Sequence, residues 1–349
     1  MEKFHRKNQC VSLMKPVAKR PTIHDVAERA GVSKSLVALV FKSDSGVSAK
    51  RRELVLQAAK ELGYTPNTWA SALRSGNNGF IGIIIADFHN RLFTEFADLA
   101  RQAFAARGIF CFFATTSTST IDGVEKIDPV PIQHLLDLKP SSLLIVGGLV
   151  DHTPFKNISE DLPVVQVLSS KGALRRAVSV RSNDDTAMKQ ILDHLLTLGH
   201  KNIVYLGPDS ERVAKDRKFA YENQAKKHKI KLSIVSTGLA RNEAAGLTAG
   251  LEALKLKPTA LVCFNDNVAF GAQDALARTN QKVAVTGYDN TFFSSMERVS
   301  LTTIDQDKES IVSQVVWLLT DLDAFKKYRG KEIFIEPGLV VRNSSTKFT

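Results

Sequence analysis

From residue 22 to residue 74 apolar side chains recur at helical spacing, and from residue 79 onward they gather into short continuous runs separated by amphipathic stretches. In the first region Ile23, Val26, Ala27 and Ala30 fall along one helical face. Thr22, followed three residues later by Asp25, forms an N-cap whose reciprocal partner is one methylene shorter than the usual Glu, and Gly31 ends the helix. Ser33 caps a second helix that turns Leu36, Val37 and Val40 inward and leaves Lys34, Ser35, Ala38 and Leu39 wholly or partly on the other side. Ser48 caps a third, in which Leu54, Val55, Ala58, Ala59 and Leu62 close a small core before Gly63 stops it. Two short helices joined by a tight glycine turn make a helix-turn-helix unit, although any three-helix bundle shares this pattern. Pro66 and Asn67 then open a short helix running through Leu73, with Ala70 and Leu73 on one face.

The second region alternates strand and helix. FIGIIIAD, IFCFFAT, LLIVGG, PVVQVL, NIVYLG, TALVCF and KVAVTG read as buried strands, while Phe93, Phe96, Ala97, Ala100 and Phe104 mark a helix between the first two. Further amphipathic helices fall near residues 184–198, 213–228, 243–255 and 267–279, and the polar run TTSTST reads as a surface loop. This alternation predicts an α/β fold of parallel sheets covered by helices on both faces, and it is too long for one lobe. The resulting division is a basic, disordered tail over residues 1–21, a helix-turn-helix domain over 22–65, a hinge helix and linker over 66–78, and a two-lobed domain over 79–349.

Charge sharpens the first half of this picture. Residues 1–74 hold fourteen Lys and Arg against six Asp and Glu, which places eight of the chain's net +11 charges in a fifth of its length. Such a local excess is the electrostatic footprint of a phosphate-binding module. Three widely spaced cysteines, Cys10, Cys111 and Cys263, suggest neither a disulfide framework nor a CxxC metal site. No apolar run reaches the roughly eighteen residues of a membrane span, and the N-terminal tail lacks a secretory apolar core, so a cytoplasmic location is expected. Enzymatic signatures are missing as well: there is no P-loop, no GxSxG elbow and no HExxH, and GFIGIIIAD lacks GxGxxG. Asp87 and His89 are two possible metal ligands on one loop, too few to imply a metal, and neither a metal nor a cofactor is expected.

The stretches TIHDVAERAGVS, VSAKRRELVLQAAKELGYTPN and ASALR resemble the DNA-binding head and hinge of the LacI/GalR family of bacterial transcription regulators. Met14 opens MKPVAKRPTIHDVA, similar to a usual start in that family. The resemblance implies a homodimeric repressor whose second helix enters the major groove of a palindromic operator, with Lys34, Ser35 and Leu39 as base readers. It places phosphate contacts at Ser33, Ser48, Lys50 and Arg51, beside helix N-termini, and adds Thr22 at the first cap. In the hinge it implies Asn67, Ala70 and Leu73, with Leu73 wedged between base steps of the minor groove. Leu39 departs from the polar residue relatives carry, Leu36 and Ala38 replace favoured hydroxyls, and Ser71 replaces a common arginine.

More loosely, DFHNRLF, LLTLGHKNIVYLG, FNDNVAFGAQDAL, GYDN, LTTIDQD and PGLVVRNSS resemble the family's periplasmic-binding-protein-like domain. The chain would then cross between lobes near residues 181, 306 and 336, with an effector in the cleft held by Arg217, Asn265 and Asp289 and by Phe93 from the opposite lobe. The alternative is that Arg217 and Asp289 merely pair with each other or brace the lobes. Leu168 and Val213 stand where relatives carry polar groups, and TGLARNEAAG lacks a stacking aromatic. These departures imply an effector less hydroxylated than a hexose, or none. A solute-binding protein would share the two lobes but not the head; a regulator controlled by a protein partner would share both.

Overall fold

The computed structural model describes residues 21–41, 47–65 and 79–345, apart from residues 117, 122–123, 157, 173 and 210–211. The chain divides into two units, Met1–Asn78 and Gly79–Thr349.

The first unit contains helices α1 (Ile23–Ala30), α2 (Lys34–Phe41) and α3 (Ala49–Leu62). The α1 N-terminus is a reciprocal capping box: the Thr22 hydroxyl accepts from the Asp25 amide at 3.4 Å, and the Asp25 carboxylate accepts from the Thr22 amide at 2.6 Å. Gly31 (φ 66°) and Gly63 (φ 64°) end α1 and α3 in the left-handed conformation that only glycine adopts cheaply. The core is Val26, Ala27, Val37, Val40, Val55, Ala58 and Ala59, flanked by Ile23, Ala30, Leu62 and a tilted Phe41–Tyr64 ring contact. Two inward assignments shift: Leu36 is only half-buried, and Leu54 is 46% exposed because α3 is covered along one narrow stripe by the two short helices. The expected Ser48 cap is also different, since the residue takes the extended N-cap backbone while its hydroxyl makes no cap bond.

In the second unit, one lobe is built on a six-stranded sheet in the order β13 (Glu332–Ile335), β7 (Val178–Ser182), β6 (Val164–Val167), β5 (Ser142–Val146), β1 (Ile81–Ile85) and β2 (Cys111–Thr115). Every neighbouring pair is parallel. Helices α4 (Arg91–Ala105), α10 (Lys308–Thr320) and α11 (Leu322–Tyr328) contribute to the core on one face, and α5 (Val130–Asp137) to the core on the other. The other lobe carries the parallel sheet β11 (Ala284–Thr286), β10 (Ala260–Cys263), β8 (Ile203–Gly207) and β9 (Ile234–Ser236). Helices α6 (Asp184–Thr197) and α7 (Arg212–Lys227) cover one side, with α8 (Glu243–Leu254) and α9 (Asp266–Thr279) on the other. Three passages join the lobes: β7 into α6, β12 (Thr303–Asp305) into α10, and β13 into β14 (Gly338–Val340), which pairs antiparallel with β12.

Two readings of the pattern are revised. Part of TTSTST is not a loop but enters an antiparallel ladder of β3 (Thr118–Ile121) with β4 (Val124–Ile127). β7, with Ser179, Arg181 and Ser182 in its length, does not read as an apolar run, yet the whole strand is buried. Its polar side chains are satisfied inside, as when the Ser179 hydroxyl donates to the Ser169 carbonyl at 2.7 Å.

Helices α8 and α9 touch backbone to backbone. A Cβ on Gly271 would lie 2.0 Å from the Glu243 carbonyl oxygen, and one on Gly246 would lie 2.3 Å from that of Val268. Neither obstacle is a side chain that could rotate away. Gly271→Ala should therefore push the two helices apart and destabilise the protein by at least about 2 kcal/mol, read as a fall in Tm; an unchanged Tm would refute the close approach.

Candidate functional site

Two surfaces gather the residues singled out above. On the head, burial of Val37 and Val40 turns the opposite face of α2 outward, so Lys34, Ser35 and Leu39 are exposed together. The Ser33 hydroxyl accepts from the Leu36 amide at 3.3 Å and lies 3.0 Å from the Ser35 hydroxyl, and the first turn of α2 contains no acidic residue. Lys50 and Arg51 are exposed in the first turn of α3, also free of acids, where helix dipole and side-chain charge have the same sign. Arg52 turns inward instead and donates to the Val40 carbonyl at 3.1 Å, closing the end of α2. Thr22 is committed to its capping box. Asn67, Ala70 and Leu73 lie outside the described residues.

In the second unit a cavity of about 630 Å³ lies between the lobes, at the carboxyl ends of the parallel strands. Phe93, Arg217, Asn265 and Asp289 all line it, joined by Phe88, Leu168, Val213, Leu239, Arg241 and Gln306. Each anchor is held by the protein. Asn265 is the N-cap of α9, accepting from the Val268 amide at 2.9 Å and donating to the Arg241 carbonyl at 3.2 Å. Asn90 and Asn242, also in the lining, cap α4 and α8 in the same way, so three helix N-termini face the cavity. Phe93 packs beneath Gly147, where a Cβ would lie 2.4 Å from the ring and φ is 94°.

Arg217 does not pair with Asp289. Its Nε donates to Asp184 at 3.1 Å, one Nη donates to the Phe264 carbonyl at 2.6 Å, and its Cζ sits 3.5 Å from the Tyr288 ring centre. Asp184 also accepts from Arg181 at 2.7 Å and from the Tyr288 hydroxyl at 2.7 Å. Burial works against the Arg217 charge, but Asp184, Tyr288 and Asp289 more than restore it and its pKa moves up. Asp289 instead accepts from the Gln306 amide at 2.7 Å, and Gln306 in turn accepts from Ser182 at 2.9 Å. Burial first, and the neighbouring Asp266 second, push the Asp289 carboxyl well above the usual carboxylate range despite the pull of Arg217.

A second set of contacts spans the cleft from α4. Arg91 pairs with Glu243, donates to Asn267 at 2.9 Å and lies 4.5 Å from the Phe293 ring centre. One turn on, Glu95 accepts across the cleft from the Phe292 amide and, within its own lobe, from Lys308, each at 2.9 Å. The sequence reading named Phe93, Arg217, Asn265 and Asp289 but not these partners, because Arg181 and Asp184 lie in no motif, Arg91 stands in DFHNRLF with no role assigned to it, and all three meet their partners only once the lobes assemble.

With both surfaces in view, the similarities to known proteins fall into place. Residues 22–67 match the profile of bacterial regulatory proteins of the lacI family, and residues 192–345 match the periplasmic binding protein-like domain. The chain is 28% identical over 347 residues to the transcriptional repressor PurR of Mannheimia succiniciproducens, covering 93% of this chain and 99% of that one. Over 293 residues it is 28% identical to the maltose regulon regulatory protein MalI of Escherichia coli K12, covering 82% and 83%. Its fold superposes on a lac repressor dimer bound to operator and the anti-inducer ONPF with a TM-score of 0.78 and 25% identity, covering 94% of this chain and all of that one. The chain carries a lacI-family head and a periplasmic-binding-protein-like domain. It is a regulatory protein and not an enzyme.

Backbone strain gathers at the cavity. Leu168 (φ 55°) and Asp289 (φ 135°) hold positive φ from opposite lobes, a conformation that disfavours both residue types and persists only where the surroundings impose it. No helix among the described residues is long and apolar enough to cross a membrane, and none of their His, Cys, Asp and Glu side chains form a cluster of three or more that could hold a metal. Asp87 and His89 instead close a local turn, with the His89 amide donating to the carboxylate at 2.8 Å.

Two substitutions separate the roles of the buried acids. Asp184→Asn leaves Arg217 buried without its ion-pair partner, removes one of three carboxylates around Arg181, and should cost about 3–5 kcal/mol in unfolding experiments. Asp289→Asn should act oppositely. The unfolded carboxyl ionises near pH 4 and the folded one only at higher pH, so the native state binds the extra proton and stability falls as pH rises through that window. The variant should match the native protein near pH 4 and exceed it by at least about 1 kcal/mol toward neutral pH; parallel stability profiles would refute the shifted acid.

Proposed function

We propose that this protein is a sequence-specific transcriptional regulator that docks as a homodimer on a palindromic operator and is gated by a small molecule held between its lobes. The observation that carries the reading is the outward face of α2, where Lys34, Ser35 and Leu39 stand together opposite the buried Val37 and Val40. Lys34 suits guanine O6 or N7, Ser35 suits donor or acceptor positions, and Leu39 suits a thymine methyl. Ser33, Ser48, Lys50 and Arg51 supply phosphate contacts at helix N-termini, with Thr22 at the edge of the same surface. The hinge residues Asn67, Ala70 and Leu73 complete the interface, Leu73 as a minor-groove wedge.

Support for a repressor comes from the relatives: the Mannheimia protein is named a transcriptional repressor, and the lac repressor neighbour was captured as a dimer on operator. Support for an effector site comes from the cavity. Phe93, Arg217, Asn265 and Asp289 converge there from both lobes, and the second Asp289 oxygen has no hydrogen-bond partner among the described residues. A ligand that spans the lobes changes the free energy of closure and thereby the population competent for DNA.

Genome-wide footprinting of the purified full-length protein should yield a palindrome. On that site, fluorescence anisotropy should show Lys34→Ala and Leu73→Ala weakening binding at least about tenfold, while Lys50→Ala lowers the salt slope by about one without changing sequence preference. Binding to all genomic fragments alike, at low ionic strength, would refute the reading.

A further inference from the structure

The cavity wall is uneven. Its deep end is polar and buried at Arg217, Asn265, Asp289 and Gln306. Toward solvent it presents Phe88, 50% exposed, from the loop between β1 and α4, and Leu239, 43% exposed, from the loop between β9 and α8 of the other lobe. Leu168 and Val213, buried and also in the lining, belong to the same apolar wall, again one from each lobe.

Scattered apolar residues on a protein surface need no explanation, but large ones facing a shared cavity from two lobes do. Several polar lining groups are already engaged: Asn90 and Asn242 as helix caps, Thr115 with the Ile85 carbonyl and Thr116 with that of Asp128. A molecule with hydroxyls on every side would leave some of them unpaired against Leu168, Val213, Phe88 and Leu239. The cavity volume also lies well inside the range that buries ligands of drug size.

We infer that the effector has two parts, a small polar head seated at Asp289, Asn265 and Arg217 and an aryl or alkyl arm lying between Phe88 and Leu239. This rests on the reading of the cleft as the effector site. Phe88 and Leu239 then act as the specificity-determining residues for the arm.

The test uses the full-length protein, the fluorophore 8-anilinonaphthalene-1-sulfonate, and a matched pair of competitors with a small polar head, ethane-1,2-diol and 1-phenylethane-1,2-diol. The double variant Phe88→Ser/Leu239→Ser should weaken fluorophore binding at least about fivefold, whereas Phe219→Ser, which removes an exposed ring outside the cavity, should leave it unchanged. The phenyl diol should displace the fluorophore at a concentration at least about tenfold below that of the parent diol. Equal fluorophore affinity in the native protein and the double variant, or equal displacement by the two diols, including none by either, overturns the proposal. Asp289→Asn is read separately and should weaken both competitors by the same factor. If it changes neither while the dependence on Phe88 persists, the effector-site reading fails and the apolar wall stands.

Discussion

Asp184 carries the arrangement on which the two-lobed body depends. One buried carboxylate meets two guanidiniums, Arg181 at the end of β7 and Arg217 on α7, and accepts a phenolic proton from Tyr288. Burying such charges costs several kcal/mol per ion before any attraction is counted, so the cluster is poor evidence for stability and better evidence for fixed geometry. It sits where the chain first passes from one lobe to the other. Arg181 also reaches Glu332 on β13 and Asp216 on α7, so one side chain ties both lobes to the crossing. Any relative motion of the lobes must pivot near this point, and Ser182, Gln306 and Asp289 extend the hydrogen-bonded chain from the pivot to the cavity.

The ion pair made by Arg91 has the opposite character. Arg91 and Glu243 are each more than a third exposed, and pairs of that kind contribute little in water. A firm buried pivot together with a weak clasp lets closure respond to a ligand worth only a few kcal/mol. The clasp is built from a single face of α4, whose N-cap Asn90 lines the cavity, so a ligand touching that end of the helix acts on the element that holds the lobes together.

Much of this was legible in the residues. The Thr22 capping box, the glycine stops and the inward face of α1 follow from local chemistry, and the apolar strands β1, β5, β6, β8 and β10 announce themselves as continuous runs. What escaped was long-range. β7 looks unlike a core strand because its serines and arginine find partners only after the lobes assemble. Leu54 looks like core because helical periodicity shows a face but not how much of it two short neighbours can cover. Of the cleft residues, Arg217, Asn265, Asp289 and Phe93 could be transferred from a family pattern, whereas Asp184, the true partner of Arg217, lies in no motif and is 33 positions away. The Ser48 hydroxyl failed as a cap although its residue type and position were right, since backbone geometry alone does not orient a rotor.

The asparagine caps at the cavity have an evolutionary corollary. Asn90, Asn242 and Asn265 each start a helix and also form part of the lining, so replacing one to suit a new ligand forfeits a cap worth about 1 kcal/mol. Phe88 and Leu239, exposed and outside the core, carry no such second duty. Divergence among paralogues on this scaffold should accordingly concentrate at the apolar positions, with the capped frame inherited and the recognised metabolite free to drift.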